Sequence, residues 1–454
     1  MEKDLRDLAG ARVTVMGLGR FGGGLGVTRW LAKQGADVLL TDLASEHDLA
    51  DPLAELQHLI DDGRITLRLG EHNVSDFTSC DLVIANPAVP KPWDNRFLRS
   101  AQAAGVPITT EIELLVTNLP QAARTIGVTG TAGKSTTSAM IHHALEQVAN
   151  TPVHLGGNIG GSLLDSLGDV SDTHVVVLEL SSAMLYWLRD SPWSPDVAVL
   201  TNIASNHLDW HGSVQHYVES KQRIAGHATR TLVLGPDAQP WATGADTKRV
   251  SVEDIESLPR LRTPGAHNRI NGATALLAAL ELHDDRDRLA HAIAMFPGLP
   301  HRLRFIGAWP NGVRAFDDSK CTTPEAAALA IEAIRETTAG TIHLIAGGHD
   351  KGVDLSPMTH AAKQHEATVY AIGATATAIA NLVGEACVEA GTLDLALAAI
   401  ADRLQPGDAV LLSPGCASWD QFSNYEERGA RFEACLNRLL GARTQRARTQ
   451  KEYE

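Results

Sequence analysis

The segment TIGVTGTAGKSTTSAM, residues 125–140, sets the reading of the whole chain. A β-rich run from Arg124 to Val128 enters a loop holding Gly130, Thr131, Gly133, Lys134, Ser135 and Thr136, and a helical pattern follows. Such a turn offers backbone N–H groups and a helix N-terminus to phosphate oxygens. Lys134 adds a point charge toward the β/γ-phosphates, and a Ser or Thr hydroxyl can reach Mg2+. The spacing departs from G-x-x-x-x-G-K-[ST], because Val128 occupies the first glycine position. A glycine-rich turn with an exposed lysine is the bland alternative; strand, loop and helix in that order favour an ATP site.

A Mg2+-ATP site needs hard oxygen ligands close by. The next strand pattern, THVVVLELSS (173–182), delivers Glu179 and Ser181 at its end, and PDVAVLTNIASNHLDWHGS (195–213) delivers Asn202, His207 and Asp209. In a parallel sheet those ends share the side of the phosphate loop. Lys221, in YVESKQRIA (217–225), reads on pattern alone as a solvated helix residue.

Farther out, strand-like and helix-like segments alternate. Strand candidates include 12–16, 36–40, 81–85, 124–128, 174–180, 196–201, 341–346, 367–372 and 408–413, with alanine- and leucine-rich helical stretches between many of them. This pattern predicts an α/β fold with mostly parallel sheets. Breaks at LLVTNLPQAART and MFPGLPHRLRFIGAWPNG divide it into three domains, 1–118, 119–299 and 300–454, each with its own sheet. The first domain carries a second glycine-rich loop, GLGRFGGGLG (17–26), in which Gly17, Gly19 and Gly22 fit G-x-G-x-x-G, with Asp42 ending the following apolar run. That fingerprint reports a pyrophosphate and leaves open which nucleotide carries it; NAD is the obvious candidate from this loop alone.

The 454 residues suffice for about three domains. A hydrophobic content of 44% with 20% charged residues is that of an ordinary soluble protein. No apolar run reaches membrane-spanning length and the first ten residues are charged, so a cytoplasmic protein without membrane insertion is expected. Five scattered cysteines without a C-x-x-C pair suggest free thiols. A net charge of −15 argues against a nucleic-acid binder, yet leaves room for anionic substrates held by local charge and helix N-termini. The one basic cluster, the tail GARTQRARTQKEYE, reads as a frayed terminus.

Eight motifs in order carry a family resemblance: GVTGTAGKSTT, LELSS, TNIASNHLDWHGS with SK, GAHNRINGATAL, FPGLPHRL, DDSKCTTPEA, IAGGHDKGVDL and LLSPGCASWDQFSNYEERGARF. Together they resemble the Mur ligases, ATP-dependent amide-bond ligases of peptidoglycan precursor synthesis. The last motif points to the branch that joins D-glutamate to UDP-N-acetylmuramoyl-L-alanine. The resemblance spans all three domains. It implies an N-terminal Rossmann-like UDP-binding domain, a central P-loop-type ATPase domain and a C-terminal Rossmann-like domain that receives the amino acid. It also implies ATP, Mg2+, glutamate and UDP-N-acetylmuramoyl-L-alanine as ligands, and we expect a monomer. A Mur-type ligase adding L-glutamate or another amino acid is the alternative, an NAD oxidoreductase a remote one, and a non-catalytic P-loop protein leaves the terminal-domain motifs without use.

Carried over by position, the resemblance places Lys134 on the β/γ-phosphates, with Gly130, Thr131, Gly133, Ser135 and Thr136 around them. It makes Glu179 the Mg2+ acid and His207 the histidine of a second metal. Lys221 becomes a lysine carbamylated by CO2, hence an anionic ligand, with Ser135 completing the metal set. His267, Asn268 and Asn271 fall on the adenine side, and Arg302, Asp317 and Asp318 on the phosphates and ribose. Gly17, Gly19, Arg20, Phe21, Asp42 and Asn158 fall on the UDP-sugar substrate, and Lys320, Thr322, Lys351, Ser418 and Tyr425 on the incoming substrates. This chain departs from the pattern at Ala132, where Asn is common, at Asn206, where an acid is usual, and at Tyr425, where phenylalanine is typical. It also differs at Leu43–Ala44 and in the glycine-rich loop around Arg20.

Overall fold

A computed structural model describes residues 5–452 except 20–22, 227, 239, 242, 310 and 311, with side chains described as far as residue 438. Arg20 and Phe21, expected on the substrate, lie outside the described residues.

Three sheets alternate with helices along the chain. The first has order β3-β2-β1-β4-β5, from β1 (Arg12–Met16), β2 (Asp37–Asp42), β3 (Ile65–Leu69), β4 (Leu82–Ala85) and β5 (Ile108–Thr109). The second has order β11-β10-β9-β6-β8-β7. Its strands are β6 (Arg124–Thr129), β7 (Val153–Gly157), β8 (Val175–Glu179), β9 (Val197–Leu200), β10 (Thr231–Leu234) and β11 (Asp246–Arg249). All pairings in both are parallel. The third has order β12-β13-β17-β14-β15-β16, from β12 (Arg304–Ala308), β13 (Arg314–Asp317), β14 (Ile342–Gly347), β15 (Thr368–Ile372), β16 (Cys387–Gly391) and β17 (Ala409–Leu412). Only its β12–β13 pair is antiparallel. The α/β class with parallel sheets is therefore the observed one.

Most of the strands legible in the sequence are buried on both faces, although the short β10, TLVL, is buried throughout and is not among the candidates. β8 reads VVVLE and every residue of it is buried, the continuous apolar run that a helix-covered parallel strand requires. The edge strands of the second sheet carry no such run: β11 is DTKR, exposed throughout, and β7 is VHLGG, mostly half-buried.

The chain divides into two compact units, Met1–Ser257 with Ile270–Ile293, and Leu258–Arg269 with Ala294–Glu454. In the first unit one continuous core joins residues of both sheets. Val13, Leu40 and Ile84 pack in the same cluster as Leu164, Leu178 and Leu200, with Ile112 and Leu115 of the helix Glu111–Asn118 among them. In the second unit two clusters cover the two faces of the sheet, one around Leu344 and Leu411, the other around Val410 and Leu412. The division passes through the helix Ala266–Ala279, between Arg269 and Ile270.

In each sheet the chain order reverses at a central strand, and there the loops that follow the strands splay apart into a crevice. The reversals put the loops after β1, β6 and β17 at these places.

Candidate active site

In the first unit the loop after β6 rests on the end of β9. Thr131 N donates to Asn202 O at 3.0 Å and Ala132 N to Asn202 Oδ1 at 3.0 Å, while Thr201 Oγ1 donates to Ala132 O at 2.6 Å. Two glycines permit this path. Gly130, at φ +151°, would drive a Cβ into Thr201 Oγ1, and Gly133, at φ +80°, would drive one into Asn271 Oδ1. Gly133 is the N-cap of the helix Lys134–Val148, so the loop's amides and the helix's positive end face the same space. Lys134 Nζ reaches back to Thr131 O at 3.0 Å, and Ser135 and Thr136 are half-buried in the first turn.

Glu179 ends β8 with 1% exposure. Asn158 Nδ2 donates to its Oε1 at 3.0 Å, while Oε2 is buried with no partner. An orphaned carboxylate oxygen in a buried position is costly unless a cation meets it. Lys221, a solvated helix residue on sequence pattern alone, is instead 1% exposed in the helix Val214–Gln222. Its Nζ donates to Gly130 O at 2.7 Å and Thr129 Oγ1 at 3.4 Å and lies 4.8 Å above the Tyr217 ring. Burial, and after it Lys134, pushes this lysine down to about 7 against the pull of Glu179. His207 is exposed at φ +52°, just before the short helix Leu208–His211, its ring 6.3 Å from that of Tyr217.

Mg2+ takes one or two protein oxygens together with phosphate oxygens rather than an all-protein cage. The free Glu179 oxygen beside the phosphate loop fits that demand, and Ser135 is the hydroxyl in the first turn of the loop's helix. Among the described residues no three His, Cys, Asp or Glu side chains converge as a metal cage.

The glycine-rich loop after β1 is held by Asp42. The amides of Leu18 and Gly19 donate to Asp42 Oδ2 at 2.8 and 3.4 Å, and Ala44 N donates to Oδ1 at 2.9 Å. Asp42 thus braces the loop through the amides of Leu18 and Gly19, while the Gly17 amide donates to Thr41 O at 2.8 Å.

In the second unit the loops after β13, β14 and β17 meet. Asp317 is fully buried against His301 Nδ1 at 2.6 Å and Ser319 N at 2.9 Å. Asp318 takes Leu303 N at 2.9 Å and Ser413 Oγ at 2.7 Å; desolvation, reinforced by Asp317, pushes its carboxyl up to about 7. Lys320 lies 5.0 Å over the Tyr425 ring, and Lys351 4.8 Å over the Trp419 ring. Ser418 is buried, Thr322 half-buried and Arg302 exposed. Burial, with Glu426 beside it, raises the Tyr425 phenol to about 12. Asn268 is buried, its Nδ2 donating to Pro264 O at 2.7 Å, and His267 is exposed beside it.

Sequence reasoning missed the residue that ties these loops together. Arg428, 1% exposed, donates from Nε to Ser319 Oγ at 3.0 Å and from Nη2 to Ser319 O at 2.8 Å and Cys416 O at 3.1 Å. Its position in EERGARF, an arginine followed by the glycine on which His301 and Asp317 lie, was the available signal.

Three family profiles match the chain: the Mur ligase MurD-like N-terminal domain over residues 11–110, the Mur ligase middle domain over 128–255 and the Mur ligase glutamate ligase domain over 301–416. The UDP-N-acetylmuramoylalanine–D-glutamate ligase of Shouchella clausii is 33% identical over 96% of this chain and 99% of its own length. The enzyme of that name from Sphingopyxis alaskensis is 36% identical over 96% and 99%. Among solved structures, the UDP-N-acetylmuramate–alanine ligase of Thermotoga maritima superposes with a TM-score of 0.59 at 21% identity, covering 93% of this chain and 98% of its own. The MurF ligase of the same organism, solved with ADP, gives 0.51 at 18% identity over 97% of each. At those identities the structural likeness speaks for the fold.

Proposed function

The chain belongs to the Mur ligase family, and from that membership we propose that it joins D-glutamate to UDP-N-acetylmuramoyl-L-alanine at the expense of ATP. The reaction serves peptidoglycan precursor synthesis in the cytoplasm. The functional domains are 1–118 for the UDP-sugar substrate, 119–299 for ATP and 300–454 for the amino acid. The observation that carries the reading is the buried pair at the phosphate loop, Lys221 on Gly130 O and Glu179 with a free oxygen.

The substrate's terminal carboxylate oxygen takes the γ-phosphoryl group of ATP as the β,γ-anhydride bond breaks, giving an acyl phosphate and ADP. The amine of glutamate then attacks the acyl carbon, phosphate leaves and an amide remains. The amides around Gly130–Gly133 and the Lys134 ammonium hold the phosphates and offset charge that grows on the transferring group. Glu179 and Ser135 would hold Mg2+, which would supply further charge neutralisation on the phosphates. Asn158 orients Glu179 by bonding one carboxylate oxygen and leaving the other free. Lys221, partly neutral near pH 7, is the amine state that CO2 converts to a carbamate, which would turn a buried cation into an anionic ligand. His207 stands exposed at the same strand-end edge, available to a metal or to the oxyanion of the tetrahedral intermediate. Gly17, Gly19 and Asp42 serve the UDP end.

The test is phosphate release with Mg-ATP, UDP-N-acetylmuramoyl-L-alanine and each glutamate enantiomer in parallel. Release with the D form alone is expected. Release only with the L form would move the chain to the altered-specificity alternative, and none with either would sink the assignment.

A further inference from the structure

Two lysines in the second unit sit on aromatic rings, and both rings come from the segment after β17. Lys320, from the loop after β13, lies 5.0 Å over Tyr425, and Lys351, from the loop after β14, lies 4.8 Å over Trp419. Tyr425 is half-buried, but Trp419 is 65% exposed, the one aromatic among the exposed large hydrophobics of the described residues. An indole left in water on a loose loop would mean little. This loop is pinned on every side of the indole: Ala417 O accepts from His349 N at 2.9 Å, Ser418 O from Phe422 N at 2.9 Å, and Asp420 Oδ2 from Ala374 N at 2.9 Å. The His349 ring lies beside it, tilted by 52° with its centroid 5.9 Å from that of the indole. Asp350, the acid nearest Lys351 in sequence, is turned to Gly352 N at 2.8 Å. A fixed, exposed π-face with an ammonium over it restricts a side chain that would otherwise sample many rotamers.

We propose that Trp419 is a specificity-determining positioning residue: its indole holds the Lys351 ammonium where it meets a carboxylate of the incoming amino acid. This rests on the reading of Lys351 as an amino-acid contact. A pre-placed cation loses less freedom when it engages the ligand, so the effect falls on glutamate affinity rather than on phosphoryl transfer. The exposed face also offers the ligand's methylene groups an apolar contact.

Trp419→Ala is expected to raise the KM for glutamate about three- to tenfold with kcat, and the KM values for ATP and the UDP-sugar substrate, unchanged. Trp419→Phe, which keeps a ring, is expected to restore most of the loss. Because the side chain is exposed, Tm should not move in either variant. In a double-mutant cycle with Lys351→Met, the two effects on glutamate KM should be strongly non-additive. Glutamate should also change the tryptophan emission of the wild type and not that of Trp419→Phe. A Trp419→Ala enzyme with wild-type glutamate KM, or additive effects in the cycle, overturns the inference while a raised KM in Lys351→Met leaves the reading of Lys351 standing. If Lys351→Met leaves glutamate KM unchanged, that reading falls and the inference falls with it; absence of turnover in the wild type sinks both together with the ligase assignment.

Discussion

Lys221 places its ammonium 2.7 Å from the carbonyl oxygen of Gly130, inside the protein and directly beneath the phosphate loop. A lysine is rarely fully buried without an anionic partner, and here Glu179 alone among the described acids raises its affinity for protons. The position suits a group that is to become an anion. Lys221→Ala should lose about a hundredfold or more in kcat, and added formate or acetate should restore part of it, read by phosphate release. Absence of any rescue would assign the role to the amine itself.

Lys134 is held over its own loop by Thr131 O and projects from the first turn of the helix Lys134–Val148. Lys134→Ala removes the point charge and leaves the loop's glycines and amides in place. A loss of at least about a hundredfold in kcat is expected, with an unchanged far-UV spectrum. Retained kcat would remove the phosphate-loop argument.

Glu179 offers Oε2 to a cation and nothing else in the described structure satisfies it. Glu179→Gln keeps an acceptor for Asn158 and discards the charge. The Mg2+ concentration for half-maximal rate should rise about tenfold or more, and kcat should fall. A magnesium titration unchanged from wild type would place the metal elsewhere.

Glu111 is 6% exposed and accepts from Ser162 Oγ at 2.6 Å. Burial pushes its carboxyl up to about 7 despite that bond. Between about 4.5 and about 7 the folded chain therefore binds more protons than the unfolded one, and this group makes stability fall as pH rises through that window. Glu111→Gln should remove that slope. The variant should match wild type near pH 4.5 and exceed it at pH 8 by up to about 3 kcal/mol, measured by urea denaturation at each pH. An unchanged gap across the range would show the carboxyl to be ordinary.

Arg428 joins the loops after β13 and β17 through three hydrogen bonds, with Nη1 buried and unpartnered. Arg428→Ala leaves Ser319 O and Cys416 O without their donor and opens a cavity. A loss of about 3–5 kcal/mol is expected. Arg428→Met fills the space and should cost less. Equal stability of all three proteins, in denaturant titrations, would make the arginine dispensable to the fold.

Much of this was legible along the chain. The strands β8 and β9, fully buried, and β6, buried beyond Arg124, announce themselves as apolar runs, and the order of glycines and Lys134 after β6 places a phosphate loop at the strands' C-terminal ends. Edge strands with polar or glycine-rich sequences, such as β11 and β7, carry no such mark, because pairing to a neighbour decides them. The burial of Lys221 was equally invisible. Tyr217 and Ile224 share its helix face, yet a lysine there reads as reaching to water, and only the packing of that face against the loop from Thr129 to Gly130 turns the side chain inward.

Residue order by itself determined the α/β class, the phosphate loop and the family, since these depend on local hydrogen-bonding geometry and hydrophobic runs that neighbouring residues encode. Tertiary structure alone decided which charges lie in water and which do not. Lys221, Glu111, Asp318 and Arg428 owe their shifted protonation, and Glu179 its burial and its partner, to strands and loops tens to hundreds of residues away, and desolvation is a property of the packed neighbourhood rather than of the segment.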